Sequence, residues 1–109
     1  MSIEDTDVVD AIGVENTSGK LVMTIEDHLD WSEERAHMRV LGDKVNAYLR
    51  AIQSGDLVSS YPDAEGRSVV IEVVSRVAIP ESGLRFLEHV ALTARKLDVE
   101  VRARAGSDD

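Results

Sequence analysis

The densest group of side chains capable of acid–base or metal chemistry lies between residues 26 and 34. Its central members are Asp27, His28 and Asp30. A histidine beside carboxylates could act as a general base, because imidazole titrates near neutral pH and a carboxylate fixes its tautomer. The same three side chains could ligate a divalent cation, with His37 two helical turns after Asp30 as a further ligand. A small metal-dependent or acid–base hydrolase is therefore one alternative.

Simpler structural roles account for the same residues. Asp30 followed by Glu33 fits a helix capping box, and Glu33 and Glu34 lie where a helix dipole favours negative charge, while Trp31 fits a core anchor. No serine lies in a nucleophile motif, and the spacing matches no metal motif. We therefore predict no catalytic residue, no metal and no cofactor. The candidates for an interaction surface are Asp27, His28, Asp30, Trp31, Glu33 and Glu34.

Hydrophobic periodicity predicts the elements that precede and follow this cluster. Apolar residues alternate at 8–14 and again at 21–25 around a short Asn- and Gly-containing loop, which predicts a β-hairpin. Steps of three, four and seven between apolar residues from Trp31 to Ile52 predict a helix. That helix should end at Gly55, since glycine readily takes the left-handed conformation. Residues 56–65 are interpreted as a connection, with Tyr-Pro-Asp at 61–63 as its turn.

Three further segments complete the predicted order. A strand at 68–77 is apolar on both faces, which favours a central position, and a helix opens at Pro80. A last strand at 98–104 alternates charged residues with Val99, Val101 and Ala103, a pattern that suits a sheet edge. His37 and His89 are predicted to be ordinary, partly exposed helix residues. The inward stripe of the second helix is predicted as Leu84, Leu87, Ala91 and Ala94.

The element order ββαβαβ predicts an α+β fold. Strand–helix–strand crossovers are right-handed in nearly all proteins, so both helices should cover one face of a four-stranded mixed sheet, as a two-layer sandwich. A chain of 109 residues has the size of one domain. We expect a disordered N-terminus at residues 1–7, a single domain at 8–104 and a flexible tail at 105–109.

The charge distribution excludes some classes of function. The formal net charge is −9, and residues 1–34 carry ten carboxylates and one lysine, whereas the rest of the chain is balanced. Nucleic-acid binding needs basic residues against phosphates, so we expect no nucleic-acid partner. The chain has no cysteine and no apolar run of membrane-spanning length, so we expect no disulfide, no membrane association and a cytoplasmic location.

One stretch gives the sequence a family resemblance. The motif Thr-Ile-Glu-Asp-His-Leu-Asp-Trp at 24–31, followed by Lys-Val-Asn-Ala-Tyr at 44–48, Ser-Gly at 54–55 and Tyr-Pro at 61–62, resembles a family of small bacterial proteins known only as a domain of unknown function. The resemblance runs from about Val9 to Val101. It implies a bacterial, single-domain protein and carries no activity or catalytic residue.

Three functional hypotheses follow from the sequence. The first is a non-enzymatic interaction module, comparable to an immunity protein or antitoxin, whose acidic first third binds a basic protein partner. The second is the hydrolase built on Asp27, His28 and Asp30. The third is a structural subunit of a homodimer, in which Val99 and Val101 of the last strand pair across an open edge.

Overall fold

The architecture comes from a computed structural model that describes residues 10–105. Its elements are β1 (Ala11–Val14), β2 (Leu21–Asp27), α1 (Glu34–Ser54), α2 (Asp56–Ser60), a 3-10 turn (Pro62–Ala64), β3 (Val69–Ser75), α3 (Glu81–Arg95) and β4 (Val99–Ala105). The α+β class and the four-stranded mixed sheet are confirmed. The N-terminus predicted as disordered, residues 1–7, lies outside the described residues, as do residues 106–109. Ala105, predicted to begin the tail, is the last residue of β4.

The sheet has the spatial order β1-β2-β3-β4. β1 and β2 form the predicted antiparallel hairpin, and its loop closes with hydrogen bonds from the Glu15 amide to the Lys20 carbonyl and from the Gly19 amide to the Glu15 carbonyl, each 2.8 Å long. Gly19 has a φ of 74°, which glycine adopts without steric cost. β3 pairs parallel with both β2 and β4, so it occupies the central position that its two apolar faces predict.

A single hydrophobic cluster joins the sheet to the helices. Alternate residues of β2 and β3 are buried in this cluster, as the two-residue period of a strand requires. β4 contributes Val99, whereas Ala103, predicted to face inward, is exposed. The strand members of the cluster are Leu21, Met23, Ile25, Val69, Ile71, Val73 and Val99.

The long helix α1 ends where the sequence predicts. Gly55 follows it with a φ of 88°, in the left-handed region. The segment 56–65 was predicted as a connection with a turn at 61–63, and this is wrong in part, because Asp56–Ser60 forms a third helix. Leu57 is buried there, and one helical turn lets it reach the core. No helix within residues 10–105 combines the length and apolarity needed to cross a membrane.

The inward face of α3 differs from the predicted stripe. Leu84 was predicted to face the core, yet 49% of its surface is exposed, and the preceding Gly83 is buried instead. A Cβ atom on Gly83 would lie 2.9 Å from Ile79 Cγ2 and 2.9 Å from Trp31 Cη2. The absent side chain therefore lets α3 approach the tryptophan ring closely, and this rotates Leu84 toward the surface.

A buried polar group ties the start of the hairpin to α1. The Tyr48 hydroxyl donates to the Thr24 carbonyl oxygen and accepts from the Asp10 amide, both at 3.1 Å. The Asp10 carboxylate accepts from the Glu26 amide at 2.9 Å and lies 3.4 Å from the Nζ atom of fully buried Lys44. Lys44 and Tyr48 share the helical stripe of the core, so their polar atoms require these partners.

The first prediction tests the close approach at Gly83. Gly83→Val should lower the free energy of unfolding by about 2–3 kcal/mol, because the new methyl groups overlap Trp31 and Ile79. Gly13→Val is the matched control: within the described structure no atom lies within 4 Å of its Cβ position, and valine suits a strand. Urea denaturation of both variants checks this, and equal stabilities would contradict the packing described at α3.

The second prediction concerns pH and Tyr48. Burial raises the pKa of the Tyr48 phenol to about 12, whereas the unfolded chain should release that proton near pH 10. The resulting stabilisation is complete below pH 10 and is lost as the pH rises to 12. Tyr48→Phe should cost about 1–2 kcal/mol at neutral pH, because two hydrogen bonds are lost. The difference in the free energy of unfolding between wild type and variant, measured by urea denaturation, should narrow between pH 10 and 12. A constant difference would contradict the raised pKa of Tyr48.

Candidate functional site

A buried hydrogen bond between Asp27 and His37 organises the junction of β2 and α1. Asp27 is the last residue of β2, and its side chain falls on the same strand face as Ile25, so it points into the core. His37 lies in the first turn of α1, and only 2% of its surface is exposed. Its Nε2 atom lies 2.5 Å from Asp27 Oδ2. His37 was predicted to be partly exposed, and this is wrong.

The surrounding contacts fix the position of one proton of this pair. His37 Nδ1 lies 2.8 Å from the Asp30 carbonyl oxygen, which can only accept, so Nδ1 carries a hydrogen. One further proton lies between Nε2 and Asp27, either as an imidazolium–carboxylate pair or as a neutral imidazole and a carboxylic acid. Asp27 Oδ1 accepts from the Leu29 amide at 3.2 Å. Both ring nitrogens and both carboxyl oxygens thus have partners inside the protein.

Trp31 covers this hydrogen bond. Its ring stacks on the His37 imidazole, with centroids 3.7 Å apart and planes inclined by 20°. The far edge of its six-membered ring faces Gly83, so one side chain lies against both α1 and α3. Its indole Nε1 is buried without a hydrogen-bond partner among residues 10–105. Trp31 therefore packs as the core anchor that its aromatic character suggests, and it is not accessible to a partner.

Asp30 does not form the predicted capping box. Its carboxylate accepts from the Ser32 hydroxyl at 2.6 Å and from the Ser32 amide at 3.1 Å, which closes a local turn. α1 therefore begins only at Glu34, and Glu33 precedes it without a side-chain capping bond. The prediction is wrong because the Asp30 side chain satisfies its own turn while its carbonyl binds His37. The hydrogen bonds from Ser32 lower the pKa of Asp30, so this carboxyl is charged at neutral pH.

The remaining candidates lie on the surface, around an open cleft. His28, Glu33 and Glu34 are exposed, and the Glu34 carboxylate accepts from the Ser82 hydroxyl at 2.7 Å. The cleft has a volume of about 350 Å³ and brings apolar side chains next to carboxylates. Asp27 and Trp31, although close in sequence, do not line it. Its lining residues are His28, Leu29, Asp30, Ser32, Glu33, Ala36, His37 and Val40.

The structure separates the three residues of the hydrolase hypothesis. Asp27 binds His37 in the core, Asp30 binds Ser32 at the surface, and His28 is exposed. Within residues 10–105 no group of three histidine, aspartate or glutamate side chains is placed to hold a metal ion. A hydrolase at these residues stays a prediction without a supporting contact.

Sequence reasoning missed the role of His37, although a signal was available. His37 precedes the buried Leu41 by four residues and the buried Tyr48 by eleven, so it falls on the helix stripe that faces the core. A histidine on such a stripe needs a buried polar partner, and Asp27, on the inward face of the preceding strand, is the nearest in sequence. The two-residue period of the strand and the helical period of α1, taken together, would have predicted the pairing of Asp27 with His37.

The comparisons with known proteins place the chain in a family. The sequence profile of DUF6572, described as a family of unknown function, matches residues 1–106. The chain belongs to the DUF6572 family. This confirms the resemblance carried by the motif at 24–31, and the motif contains the Asp27 and Trp31 of the buried junction. No curated protein and no solved structure matches the chain, so the function of this DUF6572 member is argued from its own site.

The third prediction separates the buried junction from the exposed cleft. Asp27→Ala should lower the free energy of unfolding by about 2–4 kcal/mol, because it leaves the buried His37 Nε2 without a partner. His28→Ala, one residue away and exposed, should change stability by less than about 0.5 kcal/mol. Chemical denaturation measures both. A small effect of Asp27→Ala would show that the buried hydrogen bond does not hold β2 to α1.

Proposed function

We propose that this protein is a non-enzymatic interaction module, comparable to an immunity protein or antitoxin, whose cleft beside β2 and α1 receives a lysine or arginine side chain of a basic protein partner. The observation that carries the proposal is the lining of the cleft. Leu29 and Val40 supply apolar surface, and Asp30 and Glu33 supply carboxylates beside it.

The chemistry of a long basic side chain fits this lining. Lysine and arginine have an apolar stem that packs on hydrophobic surface and a cationic head that stays near water or a carboxylate. The stem would contact Leu29 and Val40 while the head reaches Asp30 or Glu33. Arginine fits better than lysine, because its planar guanidinium can bind a carboxylate through two parallel hydrogen bonds.

The distribution of exposed charge also favours this location. Of the acidic residues in the first third of the chain, Asp10 and Asp27 are buried with partners, and Glu15 binds Arg102 at 2.9 Å. Those that stay exposed within the described residues cluster at the junction. They are Glu26, Asp30, Glu33 and Glu34. Two of them, Asp30 and Glu33, line the cleft. Negative charge beside the cleft raises the association rate of a cationic partner, and this effect weakens with salt.

The scaffold beneath the cleft supports a preformed site. The hydrogen bond between Asp27 and His37 holds the end of β2 against the start of α1, so the residues between them have little freedom left to lose on binding. We propose that the helices and the sheet form the two-layer sandwich predicted from the element order, with both long helices on one face of the sheet. The junction of β2 and α1 then lies at one end of the sheet, where its exposed residues are accessible to a partner.

The fourth prediction tests the cleft with a defined ligand. A capped peptide with one arginine between glycines, titrated into the ¹⁵N-labelled protein, should shift the amide signals of Leu29, Ala36 and Val40. Its dissociation constant should be on the order of 1 mM, as expected for one side chain. The double variant Asp30→Asn and Glu33→Gln should weaken binding by roughly tenfold, and added salt should weaken binding to the wild type.

Two controls make the titration decisive. The same peptide with citrulline in place of arginine keeps the shape and removes the charge, so it should not bind. Asp63→Asn with Glu65→Gln removes the same charge from exposed residues near the 3-10 turn, and binding should persist. Equal binding of both peptides, or no loss in the Asp30 and Glu33 variant, would reject the proposal.

A further inference from the structure

We propose that β4 pairs antiparallel with β4 of a second copy of this chain, so that two four-stranded sheets join into one. β4 lies at the end of the sheet, hydrogen-bonded to β3 alone among the described strands. Among residues 10–105 no strand pairs with its outer edge, which presents backbone N–H and C=O groups that another strand can bind. The inference is independent of the proposed cleft, which lies at the β2–α1 junction and uses other residues.

Two β4 strands place opposite charges next to each other only when the strands run antiparallel. Glu100, Arg102 and Arg104 lie on one face of the strand, with the negative charge at its beginning and the positive charges at its end. Full antiparallel overlap of Val99–Ala105 about a two-fold axis at Arg102 places Glu100 opposite Arg104 of the second copy, twice. Opposite charges that face each other across paired strands are stabilising. In-register parallel pairing would instead place like charges opposite each other.

Arg102 would face its counterpart at the two-fold axis, and its intramolecular partners offset the repulsion. Its guanidinium lies 2.9 Å from a Glu15 carboxyl oxygen and 3.3 Å from Glu72. Both carboxylates belong to the same chain as Arg102, so each copy brings its own compensation. A register shifted by two residues would place Glu100 opposite Arg102 instead, so an arginine faces Glu100 in both arrangements.

Apart from its charged side chains, β4 lacks the usual protections of an edge strand. Its seven residues contain no proline and no lysine, and its pairing with β3 runs without a bulge from Val99 to Ala105. Natural edges avoid association through such features or through inward-pointing charges. The charges of β4 instead lie on one sheet face and are of both signs. A second β4 strand that runs antiparallel presents the reversed order of charge and can pair with it.

The helix beside this edge presents apolar surface. Leu84 and Leu92 of α3 are 49% and 56% exposed. The side of α3 that carries Phe86 faces α1, where a Cβ atom on Gly42 would lie 3.3 Å from the Phe86 ring. Ala91, on another side of the helix, lines a cleft together with residues of β4. Leu84 precedes Ala91 by seven residues and so shares its side, next to the free edge.

Pairing of the two β4 strands would therefore bring the two α3 helices together. The two-fold axis would place the Leu84 side of one α3 against the same side of the other, and Leu84 would lose exposed apolar surface. The charges of β4 favour the antiparallel direction of pairing, and α3 adds apolar contact. A second copy satisfies both at once, because the interface is built from one surface used twice.

Sedimentation velocity over a wide range of protein concentration tests the pairing. The wild type should show a concentration-dependent dimer. Glu100→Arg and Arg104→Glu should each raise the dimer dissociation constant by at least about tenfold, since each places like charges opposite one another. The variant that carries both changes exchanges the charges and should regain a dissociation constant within about threefold of the wild type. Leu84→Glu should also weaken the dimer, because it places a charge in the apolar contact.

The control is Asp43→Arg, which makes the same charge reversal at an exposed residue in the middle of α1 and should leave the dimer unchanged. Circular dichroism of each variant checks that the fold is kept. A wild type that is monomeric at every concentration would overturn the proposal. So would a dimer that neither single edge variant weakens, or a double exchange that stays as weak as the single changes.

Discussion

The hydrogen bond between Asp27 and His37 is the constraint on which the junction of strand and helix depends. It joins the last residue of β2 to the first turn of α1 inside the core, where an unpartnered carboxyl or imidazole group would be costly. Trp31 can stack on His37 only while that ring is held in place, and Gly83 of α3 in turn lies against Trp31. One polar contact thus fixes the relation of a strand and two helices.

The elements of the fold were largely predictable because their residues follow simple periods. Alternating apolar residues identified the hairpin and the central strand, and Gly55 marked the end of α1. The start of α1 was not predictable from capping rules, because Asp30 serves a turn with Ser32 and its carbonyl binds His37. Leu84 was misplaced because a helix period cannot show that a neighbouring tryptophan fills the space beside Gly83.

The candidate site shows the same division between local and long-range information. The sequence identified the segment from Asp27 to Glu34 as unusual, and the segment does line a cleft. Which members of the segment face inward depends on His37, ten residues away from Asp27 and in another element, so the segment alone does not indicate it. Folding thereby sorts the acidic residues into two groups: carboxyls such as Asp27 that stabilise the core, and carboxylates such as Glu33 that are exposed to solvent.

The position of Trp31 has a consequence for optical measurements. It is the one tryptophan of the chain, so the fluorescence excited at its absorption edge arises from a single, defined place. That place is the stack on His37 beside α3, with the indole N–H shielded from water. A shift of the emission to longer wavelength therefore reports opening of this junction in particular. Far-ultraviolet dichroism reports the whole backbone, so disagreement between the two signals would reveal that the junction opens before the sheet does.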